Sequence, residues 1–292
     1  PAVRYVRGMY IDSVRELVEL KKPETQEGEI AFTQAIDRIK RRHNRVVSIM
    51  AQGILELKEA LGTDDLDPRI QDFLDRFYMS RIGVRMLIGQ HIALHSPPRP
   101  GFAGLISEHC SPKAEVRHAA EAARSLCVSR FGTAPEVGVF GNTELTFTYI
   151  PSHLEHMLFE LLKNSMRAVV ELREGTQEAL PMIRVVVAEG QEDVTIKISD
   201  EGGGIPRSGI SRIWTYLYTT ARPPERERAG VYSSDFSAPL AGLGYGLPIS
   251  RLYARYFGGD LQVLSMEGYG TDAYLHLKQL ENASETIPRK LL

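Results

Sequence analysis

The strongest constraint on this chain is an ordered run of three segments in its second half. The first follows Pro151: Leu154, Met157, Leu158, Leu161, Ala168 and Val169 form an apolar stripe, and His153, His156, Glu160, Asn164 and Arg167 form a second face. Side chains three and four positions apart line one side of a helix. The second, Val194-Thr-Ile-Lys-Ile-Ser-Asp200, alternates like a strand and runs into Gly202-Gly-Gly204-Ile-Pro206. The third, Gly242-Leu-Gly244-Tyr-Gly246-Leu-Pro248, opens a helix. Glycines after a strand let backbone pass close to a ligand. Backbone N–H groups freed at a helix start cradle phosphates. Each segment alone is weak, because an acid–amide face can be merely solvated and tight turns also use glycine. The second glycine loop lacks the G-x-G-x-x-G spacing of a dinucleotide fingerprint. No Walker A lysine and no HRD–DFG set is present. The order of the three segments is what points to a nucleotide site.

The preceding half reads as helices. From Phe32 to Leu61, the positions Ile36, Ile39, His43, Val47, Met50, Ile54, Leu57 and Leu61 recur at helical spacing, and Gly62 ends the run. Pro68 opens the next helix, with the stripe Ile70, Leu74, Phe77, Arg81, Val84 and Ile88. A third stretch spans Pro112 to Cys127. Short connections between long helices suggest an antiparallel bundle. His43 and Arg81 interrupt apolar stripes. They are either a hydrogen-bonded core histidine and a snorkelling arginine, or a small anion pocket between two helices.

Composition changes between Phe131 and Pro135. Leu145, Phe147 and Tyr149 look like a strand, and Ser152-His-Leu-Glu155 reads as a capping box. Strands are expected over Ile183–Val187 and Val194–Ile198, and a helix near Ile210–Leu217. Arg222 to Pro239 is polar and aperiodic, as expected of a functional lid. A helix from Gly246 to Phe257, a hairpin through Glu267–Gly270 and a frayed tail complete the chain. Strands mixed with helices after a run of helices suggest an α+β second domain.

The 292 residues suffice for two domains with a core that needs no disulfide or metal. A net charge of −2 gives no sign of nucleic acid or an anionic membrane as partner. Cys110 and Cys127 make neither a disulfide framework nor a zinc pair, and no apolar run approaches a membrane span. The first residue is Pro1, not Met, so the natural N-terminus is not shown.

The acid–amide helix, the Asp–Gly-Gly-Gly strand end, the expected lid and the final glycine loop together resemble the GHKL ATPase superfamily of gyrase and histidine kinases. ELLKNSMRA from Glu160, SDEGGGIP from Ser199, TYLYTTA from Thr215 and the long run from Gly242 narrow the resemblance. So do RHNRVVSIMAQG from Arg42 and FLDRFYMSRIGVRMLIGQH from Phe73. They are similar to the mitochondrial protein kinases that act on pyruvate dehydrogenase and branched-chain 2-oxoacid dehydrogenase, nearer the pyruvate dehydrogenase branch. The resemblance implies a two-domain α plus α/β fold. An antiparallel helix-bundle regulatory domain would span 1–133, a GHKL (Bergerat) α/β sandwich with a mixed sheet 134–280, and a tail 281–292. The family usually has further N-terminal helices and a C-terminal tail with a tryptophan. Trp214 is the only tryptophan here, so truncation at both ends is expected.

The resemblance also assigns roles. Asn164 would bind Mg2+ bridging the ATP phosphates, and Glu160 would be the general base, tuned by His156. Asp200 would accept the adenine amino group, with Gly202, Gly204 and Thr271 around the base. Lys163 and Arg167 would lie near the nucleotide, Thr219 and Thr220 would open the lid, and Gly242, Leu243, Gly244, Tyr245, Gly246 and Leu247 would wrap the phosphates. ATP and Mg2+ are the implied cofactors, with K+ a further candidate. The implied reaction is phosphorylation of a serine on the dehydrogenase component, which inactivates the complex. The implied setting is the mitochondrial matrix, with a homodimer formed through the second domains and docking to the lipoyl domain of the acyltransferase core. An inhibitory site for pyruvate-like acids would use His43 and Arg81. The alternatives are a branched-chain dehydrogenase kinase and a two-component histidine kinase. Against the latter, no acceptor box is convincing, and His43 lacks the acidic neighbour such a box carries.

Overall fold

The computed structural model describes residues 1–20, 22–63, 66–220 and 244–280. Four helices come first: α1 (Ala2–Glu19), α2 (Gln26–Arg42), α3 (Val46–Leu61) and α4 (Pro68–Leu94). Contacts fix their directions. Glu29 meets His95, Thr33 meets His91 and the His43 carbonyl meets Arg81, so α2 and α4 run antiparallel. Ala2 meets Glu56 and Ser13 meets His43, so α1 runs against both of the following helices. The expected single helix from Phe32 to Leu61 is broken. A 3-10 turn at His43–Arg45 separates α2 from α3. The His43 N–H bonds the Ile39 carbonyl, and its ring is taken by Ser13 on α1. That tertiary contact diverts a periodicity that alone would continue.

Local chemistry sets the other ends. The Asp67 carboxylate accepts from the Arg69 N–H, and Pro68 fills the first helical position of α4. Gly62 closes α3 at φ 62°, a left-handed conformation natural to glycine.

Next come β1 (Phe102–Ala103), β2 (Ile106–Cys110) and α5 (Pro112–Phe131), and then β3 (Val137–Gly141) and β4 (Phe147–Tyr149). β1, β2 and β4 make a small antiparallel sheet. β1 and β2 were not anticipated, being short and without an alternating run. Through β4 this sheet ties residues after Gly132 to residues before it, across the expected domain division.

The second half continues with α6 (Pro151–Arg173), β5 (Ile183–Glu189), β6 (Asp193–Asp200), α7 (Arg207–Ile210), α8 (Gly246–Tyr256), β7 (Asp260–Met266) and β8 (Gly270–Lys278). Two expectations need correction. Ser152 is no cap: α6 is preceded by Ile150 and shows no side-chain cap bond, Pro151 already being helical. The helix expected near Ile210–Leu217 is instead the single turn α7 followed by irregular turns. The main sheet has the order β3-β5-β6-β8-β7, with only β3 and β5 parallel, so it is mixed.

Alternation along β6 buries Val194, Ile196, Ile198 and Asp200 together. Each of the three apolar residues contributes roughly 1.5–3 kcal/mol by burial. Asp200 reaches the interior because it holds the next same-face position. Helix α6 packs on β6, with α5 and α8 against it. One continuous core joins both halves, from Val6 and Met50 through Tyr78 and Tyr216 to Leu275.

Candidate nucleotide site

A cavity of about 180 Å³ opens between α6, the end of β6, the start of α8 and the β7–β8 hairpin. It gathers Glu160, Asn164, Arg167, Asp200, Gly202, Gly204, Thr219, Thr220, Gly244, Gly246, Leu247 and Thr271. These come from segments as far apart in the chain as α6 and β8, so sequence order has become a single concave surface.

Asp200 sits 8% exposed at its inner wall. Its Oδ2 accepts from Ser165 Oγ at 2.8 Å and its Oδ1 from the Gly202 N–H at 3.0 Å. Burial raises its pKa above the ordinary carboxylate value, and the bonds from Ser165, Gly202 and the Thr271 backbone partly offset that. Two glycines hold their places for steric reasons. A Cβ on Gly202 would lie 2.5 Å from Ala168 Cβ, and one on Gly204 would lie 2.2 Å from the Met266 carbonyl.

Glu160 is 7% exposed, and Lys163, one turn on, is 2% exposed. Lys163 Nζ donates to Glu160 Oε1 at 2.8 Å and stands 2.7 Å from Oε2. Lys163 therefore points into the protein and does not line the cavity, contrary to expectation. The start of α8 closes over the same carboxylate, because a Cβ on Gly246 would lie 2.1 Å from Glu160 Oε2. The N-terminal end of a helix favours a negative charge placed there. His156, one turn before Glu160, packs its ring 5.0 Å from that of Tyr253. Burial pushes its pKa down, against the opposing pull of Glu160.

Asn164 is half-buried on the cavity wall. Arg167 Nη2 reaches Thr220 Oγ1 at 3.5 Å, while its buried Nε has no protein partner. An unsatisfied guanidinium donor beside a cavity suits an anionic ligand. Tyr245 does not face the cavity. Its ring lies tilted 5.0 Å from that of Tyr216 and meets the Tyr78 ring edge-on at 5.8 Å. Gly242, Leu243 and the expected lid at Arg222–Pro239 lie outside the described residues, as does the tail 281–292.

Several lining residues were not singled out from sequence. Leu161 and Ala168 were assigned to the core stripe of α6, yet with Ser165 they edge the cavity. Their i, i+4, i+7 spacing was the available signal. Ile213, Val263 and Ala273 add an apolar wall suited to a flat ring. Ala273 was legible as the next same-face residue after Thr271.

His43 and Arg81 lie elsewhere, between α1, α2 and α4. The two residues meet through the backbone: Arg81 Nη2 donates to the His43 carbonyl at 3.0 Å, and the His43 ring bonds Ser13 Oγ at 2.9 Å. Arg81 is 8% exposed and has no carboxylate partner among the described residues. Burial lowers its pKa, and the like charge of Arg85 adds to that. His43 is likewise held below its ordinary value, chiefly by burial.

The mixed sheet, the packed helices and the Asp–Gly cavity define an ATP-binding domain of one class. Residues 149–281 match the family profile described as histidine kinase-, DNA gyrase B-, and HSP90-like ATPase. Residues 1–107 match the profile of mitochondrial branched-chain alpha-ketoacid dehydrogenase kinase. The mitochondrial [pyruvate dehydrogenase (acetyl-transferring)] kinase of Arabidopsis thaliana is 52% identical over 289 residues, spanning 99% of this chain and 79% of its own length. That of Schizosaccharomyces pombe is 47% identical over 88% of this chain and 61% of its own. Human isozyme 4 is 45% identical over 98% of this chain and 71% of its own. The chain belongs to the mitochondrial pyruvate dehydrogenase kinase family.

Proposed function

We propose that this protein is an ATP-dependent serine kinase that phosphorylates and thereby inactivates the pyruvate dehydrogenase complex. The observation that carries the reading is the convergence of Glu160, Asn164 and Asp200 on one cavity. Asp200 would hold the adenine amino group, with Gly202, Gly204 and Thr271 around the ring. Arg167, Thr219, Thr220 and the α8 N-terminus would face the phosphates. Among the described residues no three His, Cys, Asp or Glu side chains converge on a metal position. That fits Mg2+, which takes one or two protein oxygens and completes its shell from phosphates and water. Asn164 would supply the protein oxygen, and the metal would neutralise phosphate charge. Glu160 would accept the serine hydroxyl proton as the oxygen attacks, with Lys163 and Gly246 fixing its carboxylate.

Transfer from labelled ATP to purified pyruvate dehydrogenase complex tests this. Glu160→Gln should keep ATP affinity and cut transfer by about 10²–10⁴-fold; near-normal transfer would remove Glu160 as base. The match of residues 1–107 to a branched-chain kinase profile favours a second acceptor, so the branched-chain complex belongs in the same assay. Phosphorylation of that complex alone would reassign the substrate.

The names of the relatives support a mitochondrial location, and we place the protein in the matrix. The buried, carboxylate-free Arg81 supports a regulatory site for small carboxylates such as pyruvate. Strand β7 ends the sheet with Leu264 and Met266 exposed, which supports pairing of two second domains in a homodimer. Docking to the lipoyl domain of the acyltransferase core completes the reading.

A further inference from the structure

The segment that leads into the expected lid is held from outside its own domain. Gln71, in the first turn of α4, uses both ends of its carboxamide on it. Its Nε2 donates to the Trp214 carbonyl at 2.8 Å, and its Oε1 accepts from the Tyr216 N–H at 3.2 Å. One turn along the same face, Asp75 Oδ1 accepts from Tyr216 Oη at 2.7 Å. One turn further still, Tyr78 packs its ring 5.5 Å from that of Tyr216. Positions 71, 75 and 78 share one stripe of the helix.

The held segment is under constraint on its other side as well. Leu217 has φ 64°, the left-handed conformation, and is the one non-glycine residue with positive φ among the described residues. Such a conformation costs an ordinary residue energy and persists only where its surroundings impose it. The site of a Cβ on Gly244 lies 2.6 Å from the Tyr218 carbonyl, so that glycine presses on the same stretch. Immediately beyond Leu217, Tyr218, Thr219 and Thr220 line the nucleotide cavity.

We propose that Gln71 and Asp75 are positioning residues for the nucleotide site, fixing residues 214–218 so that Tyr218, Thr219 and Thr220 face the cavity. The proposal rests on the reading of that cavity as the ATP site and adds that a helix of the first half completes it. Neither residue touches the cavity. Gln71 acts as a short stretch of paired backbone would, satisfying one carbonyl and one N–H of an irregular segment that has no strand partner there. Asp75 fixes the tyrosine between them. Releasing the clamp lets Leu217 relax from its left-handed conformation and withdraws the two threonines.

The experiment is calorimetric titration of the whole protein with ADP and magnesium chloride, alongside steady-state kinetics in ATP and thermal unfolding without nucleotide. Gln71→Ala and Asp75→Ala should each weaken ADP binding about tenfold. The KM for ATP should rise by a similar factor, with a smaller change in kcat. Asp75→Asn keeps an acceptor for the tyrosine hydroxyl and should stay within about twofold of wild type. If Gln71→Ala does not fold, Gln71→Glu replaces it. That variant is nearly isosteric, but it loses the donor to Trp214 and should also weaken ADP. Wild-type ADP affinity in both alanine variants would overturn the clamp and leave the nucleotide site standing. So would equal losses in Asp75→Asn and Asp75→Ala, or a fall in kcat at constant KM. Absence of ADP binding by the wild type would overturn the site and the clamp together.

Discussion

At the scale of single residues, Glu160 and Lys163 show how burial decides a role. In the sequence both sit near Asn164, and the helical period alone allows either to face a ligand. The structure turns the lysine inward onto the carboxylate, with 2.7 and 2.8 Å contacts. A buried pair broken on one side leaves an uncompensated charge, whereas replacing both partners leaves none. Lys163→Met should therefore lower unfolding stability by about 3–5 kcal/mol. Adding Glu160→Gln should recover part of that loss. Urea unfolding of the two single variants and the double variant checks this, and strictly additive losses would count against coupling. Asp200 was legible because its strand alternates to the end. The direction of Lys163 was not, since an i, i+3 pair forms on either side of a helix.

At the scale of elements, α8 and β7 are joined at a corner by Asp260. Its carboxylate takes Arg251 Nε at 2.9 Å and Arg255 Nε at 2.8 Å. Burial alone would raise its pKa, but the two arginines outweigh that and hold it below the usual carboxylate range. A depressed folded value means stability that is present above the unfolded pKa, near 3.9, and lost as pH falls through the folded one. Asp260→Asn should cost about 1 kcal/mol at pH 7 after solvent screening. The gap from wild type should narrow steadily below about pH 4. Urea midpoints at pH 7 and at about pH 3 test this, and a gap that widened in acid would reverse the assignment. Most long elements could be read from period and punctuation, as at Pro68 and Gly62. The break at His43 could not, because Ser13 causes it from thirty positions away. The turns after Ile210 were misread as helix because Tyr216 is held there by Gln71 and Tyr78, contacts that no local window contains.

At the scale of the whole molecule, α4 serves two places at once. Its first turns hold residues 214–216, and its middle carries Arg81. Arg81 does not line the nucleotide cavity, so under the proposed regulatory role Arg81→Ala should abolish inhibition by pyruvate-type acids while leaving basal transfer intact. Inhibition curves for both proteins decide it, and unchanged inhibition would remove Arg81 from the regulatory site. The sequence marked two halves by composition, but strands β1 and β2 already lie before Gly132. What it did not reveal is how far the two halves share an interior. β4 pairs with β2, and one apolar core runs through both. Pairings between distant segments carry no local signature, so an expected boundary at 133 looks cleaner than the packing.

The clamp has a practical corollary. The chain has a single tryptophan, and it is Trp214. Its carbonyl accepts from Gln71, and the Arg251 guanidinium lies 4.4 Å above its ring. Indole fluorescence from these 292 residues therefore originates at the seam between α4 and the segment that leads to the cavity. Trp214 is thus an optical reporter for that seam in these 292 residues, readable without a label and in every variant that leaves it in place.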